Sequence, residues 1–580
     1  MRHRFLSVAL SSLVLAGLFA PAAPAAPMQP KSSAKRPAPA TAAKPKSTPK
    51  RPARATPGLE TIIQDDGLLL FRPPEEVRAA VARMKALGVD RVRITANWSS
   101  LTRAPELDTK PEGFDAADPA AYEQARWQAL DTAVRAIRAA GLQALIDIGF
   151  WAPHWATTDP PGPRARTNVD PQAYADFARA VALRYSGGFT PTPDPPPAPA
   201  PTQDQDIVQA FLQPLIPFAL PDLIPPVRAR SAQAADAAAA AGRLPAVDEL
   251  ILWNEPNHPG LLLPQWQADG TTPASPVVYR AMVRAAYAAV KTARTKVKVL
   301  IGNTSSTGGS RGTGPVPPLE FLRELACVDR NLRPRTTAGC AGFTTVPGDG
   351  WSHHPYSQNE RPSRVSDRRR EPGDLRLGDL PVLARTLDKL VRMGRLARAN
   401  RDIYLTEFGY ETQGIPGRPR VSEIQQARWL TWAEYLSDKV PNVRSFAQFL
   451  LRDQPPAPVR VSASNARPFG EYSTGLLVAG GDDKRAAKTF LAGLFAQSQP
   501  KRRVLLYGRL RLGHGVKTVL LQRQLPRGGW SLLERLRIDG RAAFTRTIAH
   551  RPGALYRLTY PDDAGRRQRG LAIKPVPADR

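Results

Sequence analysis

Sulfur is scarce in this chain, whose 580 residues include two cysteines and five methionines. Two thiols cannot build a disulfide scaffold, nor the four-thiolate shell of a cysteine-only zinc site. Long apolar runs are missing too. Outside the N-terminus nothing nears the roughly 20 apolar residues that span a bilayer, which excludes an integral membrane bundle. Acidic residues are rare at both ends: none in residues 1–58 against ten Lys/Arg, and five in 501–580 against nineteen. The ends therefore carry +10 and +14 of the formal +30, leaving +6 on the 442 residues between them. No basic run is interleaved with aromatics, so a nucleic-acid groove is not expected. The charge suits anionic surfaces such as acidic cell-wall polymers or lipid headgroups, or it is a solvated arginine-rich surface with no partner. What is abundant is core material: 42% of the residues are hydrophobic, which excludes wholesale disorder.

Arg2, His3 and Arg4 precede an apolar stretch from Phe5 to Ala20 and a small-residue segment that includes Ala23-Pro24-Ala25. That is the order of a secretory signal. Residues 1–26 are expected to be a signal peptide and 27–57 a solvated Pro/Ala/Lys-rich linker, with the protein acting outside the cell or at its wall. In an oxidising compartment Cys327 and Cys340 would close a loop disulfide; two unpaired thiols are the alternative.

From Gly58 to about Pro500, short apolar runs alternate with segments of helical periodicity. Eight strands are predicted: Glu60–Ile63, Arg91–Thr95, Ala144–Ile148, Glu249–Trp253, Val297–Ile301, Gly350–His353, Ile403–Thr406 and Val443–Phe449. Helix signals lie between them, as in Asp170-Pro171 opening one helix and Gly88 closing another. Eight βα repeats indicate an α/β fold, a (β/α)8 TIM barrel over 58–500, with an insertion at 188–246 that holds the apolar patch 207–227. An open doubly wound sheet would carry a Gly-rich phosphate turn after its first strand. Here Asp65-Asp66-Gly67 follows instead. Residues 501–580 read as a small antiparallel β-sandwich, with strands predicted at Arg503–Leu512, Val516–Gln524, Ser531–Ile538 and Ala554–Tyr560. It either binds glycan through Trp530 or its tyrosines, or serves only for packing.

Two carboxylates stand where a barrel places its chemistry, at the C-terminal mouths of strands. Glu255 follows Leu250-Ile251-Leu252-Trp253-Asn254, and Glu407 follows Ile403-Tyr404-Leu405-Thr406. Facing each other across a sugar-sized gap, such a pair can supply the acid and the ionised carboxylate of glycoside hydrolysis. Arg93, inside the run Val92-Arg93-Ile94, is a cation where an interior should be apolar and calls for a carboxylate partner.

Asn254-Glu255-Pro256 after the fourth strand, His354-Pro355-Tyr356 after the sixth and Thr406-Glu407-Phe408-Gly409 after the seventh resemble the clan-A retaining β-glycosidases. The likeness is closest to the cellulase and β-xylosidase types and spans about residues 60–500. It implies Glu255 as acid/base, Glu407 as nucleophile and Arg93 as support of the nucleophile. It also implies that Asn254 bonds the sugar 2-hydroxyl, Tyr356 donates to Glu407 and His354 lines the pocket. The negative charge of Glu407 is expected to raise the pKa of Glu255. No cofactor and no metal are expected. Trp98, Trp151, Trp155 and Trp351 are candidate sugar platforms, and His154 and Asn97 candidate hydrogen-bonding groups. The strand-eight run Phe446-Ala447-Gln448-Phe449 lacks the tryptophan usual in that clan, so Gln448 or Phe449 would take its place. Competing readings are a catalytically silent glycan-binding barrel and a transglycosylase, the carbohydrate partner being common to all.

Overall fold

A computed structural model describes residues 56–160, 162, 164–192, 194, 242–412, 420–455, 472–562 and 564–578. The expected signal peptide, nearly all of the expected linker and most of the 188–246 insertion lie outside the described residues. Among the described residues no helix is long and apolar enough to cross a membrane.

A short strand β1 (Thr56–Pro57) precedes a closed parallel barrel of β2 (Glu60–Gln64), β3 (Arg91–Asn97), β4 (Gln143–Gly149), β5 (Glu249–Leu252), β6 (Lys298–Thr304), β7 (Gly350–His353), β8 (Ile403–Leu405) and β9 (Val443–Phe449). Each strand pairs with the next, and β9 closes the ring on β2. All eight predicted barrel strands are present. Among the described residues the α-helices are α1 (Asp66–Leu69), α2 (Pro74–Ala86), α3 (Trp98–Leu101), α4 (Gln124–Ala139), α5 (Pro171–Arg184), α6 (Ser275–Ala293), α7 (Pro318–Leu325), α8 (Leu380–Arg392), α9 (Glu423–Asp438) and α10 (Arg485–Leu491). Asp170 caps α5 by accepting from the backbone N–H of Gln172 and Ala173, as its sequence predicts. Ile62, Leu145, Ile251, Leu300, Tyr404 and Ala447 fill a layer inside the ring. Gly350 is required there, since a Cβ would lie 2.5 Å from the Tyr404 ring. Cys327 and Cys340 are joined as a disulfide beyond α7.

Seven further strands complete the chain, three of which the sequence pattern did not suggest. They are β10 (Ala492–Gln499), β11 (Arg503–Leu510), β12 (Val516–Gln524), β13 (Trp530–Asp539), β14 (Ala542–Ala549), β15 (Tyr556–Pro561) and β16 (Arg567–Arg569). They form two antiparallel sheets ordered β1-β14-β11-β10 and β13-β12-β15-β16. The antiparallel part thus opens at Ala492, ahead of the expected start at 501, and β1 from the other end of the chain joins its edge. One face of the first sheet packs on the second through Leu506, Val519, Leu536 and Tyr556. The other face rests on α9, where Trp432 and Tyr435 stack against Phe495 with ring centroids 5.4 and 4.8 Å apart.

That junction encloses charge. Arg509 and Arg511 are buried, and Glu434 accepts from both, at 2.9 and 2.6 Å. Thr61 at the base of the barrel accepts from both guanidiniums as well. Burial pushes the Glu434 carboxyl up, but the two arginines more than offset this and hold it below the ordinary glutamate value. Removing the carboxylate leaves two buried cations uncompensated. Glu434→Ala should therefore cost about 3–5 kcal/mol in urea unfolding at neutral pH. Because the folded value is the lower one, the deficit should shrink as the pH falls below about 4.5 and through the folded value. A loss under about 1 kcal/mol at neutral pH would contradict this clamp.

Candidate active site

Every residue of the site stands on a barrel strand or in the turn beyond its C-terminal end. Arg93 of β3 is fully buried, and its guanidinium meets six different residues, His354 among them. Nη1 donates to Glu407 Oε1 (2.5 Å), Gln64 Oε1 (2.7 Å) and the Thr406 carbonyl (3.4 Å). Nη2 donates to Asp147 Oδ2 (2.6 Å) and Asn254 Oδ1 (2.8 Å). The partners raise its pKa above even the ordinary arginine value despite burial. Asp147, inside the apolar run of β4, is itself buried, and burial pushes its carboxyl up.

Glu407 receives a second donor, the Tyr356 hydroxyl at 3.0 Å. Burial first, then the neighbouring Glu407 charge, push that phenol well up, so it stays a donor. His354 lies between the carboxylates. Its Nδ1 is 2.9 Å from Glu255 Oε1 and 3.6 Å from Glu407 Oε2, while Nε2 is 3.3 Å from Arg93 Nη1. A guanidinium only donates, so Nε2 accepts and the ring proton sits on Nδ1, directed at Glu255. Burial pushes the Glu255 carboxyl up, yet the hydrogen bond from His354, with the Arg93 cation behind it, outweighs burial and holds it below its ordinary value. The expectation that Glu407 raises Glu255 is therefore corrected. The reason is that a donor touches Glu255 directly, whereas Glu407's charge is already offset by Arg93.

One oxygen of Glu255, one of Glu407 and a ring nitrogen of His354 all lie within 4.8 Å of one another. These donors do not suit a metal ion. Binding through Nδ1 would require its proton to move to Nε2, which faces the Arg93 cation, and Arg93 already occupies Glu407.

The turn bearing Glu255 is strained and braced. Trp253 and Glu255 have φ of 64° and 39°, in the left-handed region that costs a non-glycine residue about 1–3 kcal/mol. Asn303, just past the middle of β6, offsets this. Its Nδ2 donates to the Trp253 carbonyl and to Asn254 Oδ1, and its own carbonyl accepts from the Glu255 N–H at 3.0 Å. Its Oδ1 accepts from Ser352 and Thr406. One asparagine thus ties four strand ends together. Asn254 has its Oδ1 committed to Arg93 and Asn303, which leaves its amide N–H groups as the donors for a ligand.

The remaining sequence candidates divide. Trp151 is at the mouth, its indole N–H bonded to the Gly260 carbonyl and Arg164 stacked over its ring at 4.9 Å. Trp155 is half-buried and packs edge-on against Trp98. Trp98 and Trp351 are core, not platforms: the first stacks on Phe177, and the second lies so close to Gly302 that a Cβ there would be 2.6 Å from its ring. Asn97 spends its side chain capping α3, and His154 is engaged by the Asp159 carbonyl and Asp108. Gln448 is buried with its amide N–H groups on backbone carbonyls of Phe449, Leu450 and Thr474. Phe449, edge-on to both Tyr356 (6.3 Å) and Tyr472 (5.3 Å), is the aromatic that strand eight presents beside the carboxylates. Sequence reasoning missed Asp147, Gln64 and Asn303. Asp147 carried the same signal as Arg93, a charge inside an apolar strand, whereas nothing marked Asn303.

No protein-family model and no curated protein matches the chain. Solved structures similar to it include a family 39 glycoside hydrolase from the gut symbiont Bacteroides cellulosilyticus WH2, at 14% identity over 85% of this chain and 81% of that one, with a TM-score of 0.44. An exo-β-1,4-mannosidase from Opitutaceae bacterium strain TAV5 matches at 15% identity over 74% of this chain, which spans 58% of it, with a TM-score of 0.37. A GH5_18 protein from Bifidobacterium longum subsp. infantis matches at 14% identity over 75% and 78%, with a TM-score of 0.39.

If His354 holds the Glu255 carboxyl down, removing its donor must raise it. In glutamate-labelled protein followed by carbon-13 NMR, Glu255 of His354→Ala should titrate at higher pH than in the parent. An equal or lower midpoint would contradict the assignment.

Proposed function

We propose that this chain is a secreted, retaining glycoside hydrolase that cleaves β-glycosidic bonds of a polysaccharide or glycoside by double displacement. The observation that carries the reading is that one oxygen of Glu255 and one of Glu407 lie within 4.8 Å of each other, the first residue held by His354 and the second by Arg93 and Tyr356. Retaining hydrolysis wants its carboxyl groups about 5–5.5 Å apart, whereas inversion needs about 6.5–9.5 Å to admit a water.

In the first step Glu407 attacks the anomeric carbon as protonated Glu255 gives its proton to the departing oxygen. A glycosyl ester on Glu407 results. Glu255, now ionised, takes a proton from water as that water attacks the anomeric carbon and breaks its bond to Glu407, releasing the sugar and restoring both groups. Arg93 and Tyr356 orient Glu407 and offset its charge, and Asn254 offers its N–H to the sugar 2-hydroxyl. Because Glu255 sits below the ordinary carboxylate value, its protonated fraction grows as the pH falls, so the reading implies an acidic optimum. The basic start and short apolar run of residues 2–20 support export.

The test is turnover on a panel of aryl β-glycosides and polysaccharides. Glu407→Ala should abolish it. Glu255→Ala should retain far more activity on glycosides with activated aryl leaving groups than on natural ones, because a good leaving group needs little protonation. Equal losses on both kinds would contradict the acid role, and no turnover across the panel would contradict the enzyme.

A further inference from the structure

The basic charge of the C-terminal segment is only partly spent on the fold. Arg509, Arg511, Arg541, Arg546 and Arg566 are ion-paired. Arg535, Arg537, Arg557 and Arg569 have no carboxylate within 4.0 Å among the described residues, and all four belong to the β13-β12-β15-β16 sheet, whose other side is the sandwich core. Strand alternation sets which way each points. Val519, Leu521, Leu536, Ile538, Tyr556, Leu558 and Tyr560 turn inward and are buried, so their neighbours in the strands turn outward.

Register then lays out the outer face. Arg535, Leu520, Thr559 and Arg569 stand in one row across four strands. At the usual strand spacing Arg535 and Arg569 are about 14 Å apart, and Arg537 lies about 7 Å along from Arg535. A bulge at Leu521/Gln522 shifts the alternation of β13, so Trp530 and Leu532 share this face with the arginines. Arg557 lies over the Trp530 ring at 3.9 Å and donates to Gln522 at 2.9 Å, which fixes it in place. The nearby acids are engaged elsewhere. Glu534 is held by Arg546, Asp562 by Arg566 and Gln568, and Asp539 accepts from the backbone of Gly515 and Arg541. Beyond Arg569 a cleft of about 450 Å³ adds Arg485 and Lys488 from α10.

We infer that this outer face is a docking platform for an acidic polysaccharide, a polymer whose carboxylates meet the arginine rows and whose apolar ring faces lie on the exposed Leu532, beside the Arg557–Trp530 stack. Two features favour a saccharide over a nucleic acid. Cations stand beside Leu532 on one sheet face, and the single tryptophan there is covered by Arg557, so successive bases find no series of rings to stack on. The choice of polymer rests on the glycosidase reading, while the anion platform does not. The tyrosines of this segment, Tyr507, Tyr556 and Tyr560, are all buried and take no part.

Affinity electrophoresis of the full chain through gels containing polygalacturonate, neutral dextran or single-stranded DNA tests the inference, and hydrolysis of a small aryl glycoside is followed separately. Polygalacturonate should retard the parent and dextran should not. Arg535→Gln/Arg537→Gln/Arg569→Gln should weaken retention about tenfold or more and lower the salt dependence, with unfolding temperature and small-substrate turnover unchanged. A control with the same charge loss on the barrel, Arg78→Gln/Arg385→Gln/Arg398→Gln, should keep the parent's retention. Equal weakening in both triples would mean net charge alone, and no weakening in the first would overturn the platform. Tighter retention by DNA would replace the saccharide with a nucleic acid. Retention without any turnover would leave the platform standing and count against the glycosidase.

Discussion

A single cation organises the mouth of this barrel. Arg93 is buried where a strand interior should be apolar, and such a charge is tolerated only when carboxylates meet it with good geometry. Glu407 meets Nη1 and Asp147 meets Nη2, and Asn254, Gln64 and the Thr406 carbonyl accept from the same two nitrogens. Because the guanidinium is planar and its donors are fixed, it sets the position of Glu407, the direction of Asn254 and the tautomer of His354 together. The two glutamates therefore differ in what they can do although they share one cleft.

The same chemistry recurs at the other end of the barrel with a different outcome. Arg509 and Arg511 converge on Glu434 and Thr61, and all four residues are buried. Its product is attachment of the first antiparallel sheet to α9 and to the start of β2. Around Arg93, by contrast, Glu255 keeps one oxygen and Asn254 its amide N–H groups available. The strained backbone at Trp253 and Glu255 persists because Asn303 supplies the bonds that over-determine it.

The barrel was legible because each strand is a short apolar run between helices with clear starts and stops, a pattern that depends on neighbours in the chain. Glu255 and Glu407 were legible for the same reason, since each ends such a run. What escaped depends on contacts across the ring. The roles of Asn303 and of Asn97, one bracing four strands and the other only capping a helix, cannot be told apart from an asparagine at a strand end. Trp98 and Trp351 looked like platforms because burial depends on which way a strand-end side chain turns. β10 and β14 were unseen because small and polar residues break up their apolar pattern, and β16 because its Arg-Gln-Arg has nothing to bury and is held by pairing with β15, so packing decides more than propensity.

The account comes down to Glu407 forming a bond to the sugar while Glu255 manages the proton. Incubation with an activated 2-deoxy-2-fluoro β-glycoside, which slows breakdown of a glycosyl ester more than its formation, followed by intact-mass and peptide mass spectrometry, tests this directly. The account predicts one added fluoroglycosyl group, carried by the peptide that contains Glu407. An adduct on Glu255, or turnover that releases the inverted anomer with no adduct, would contradict it.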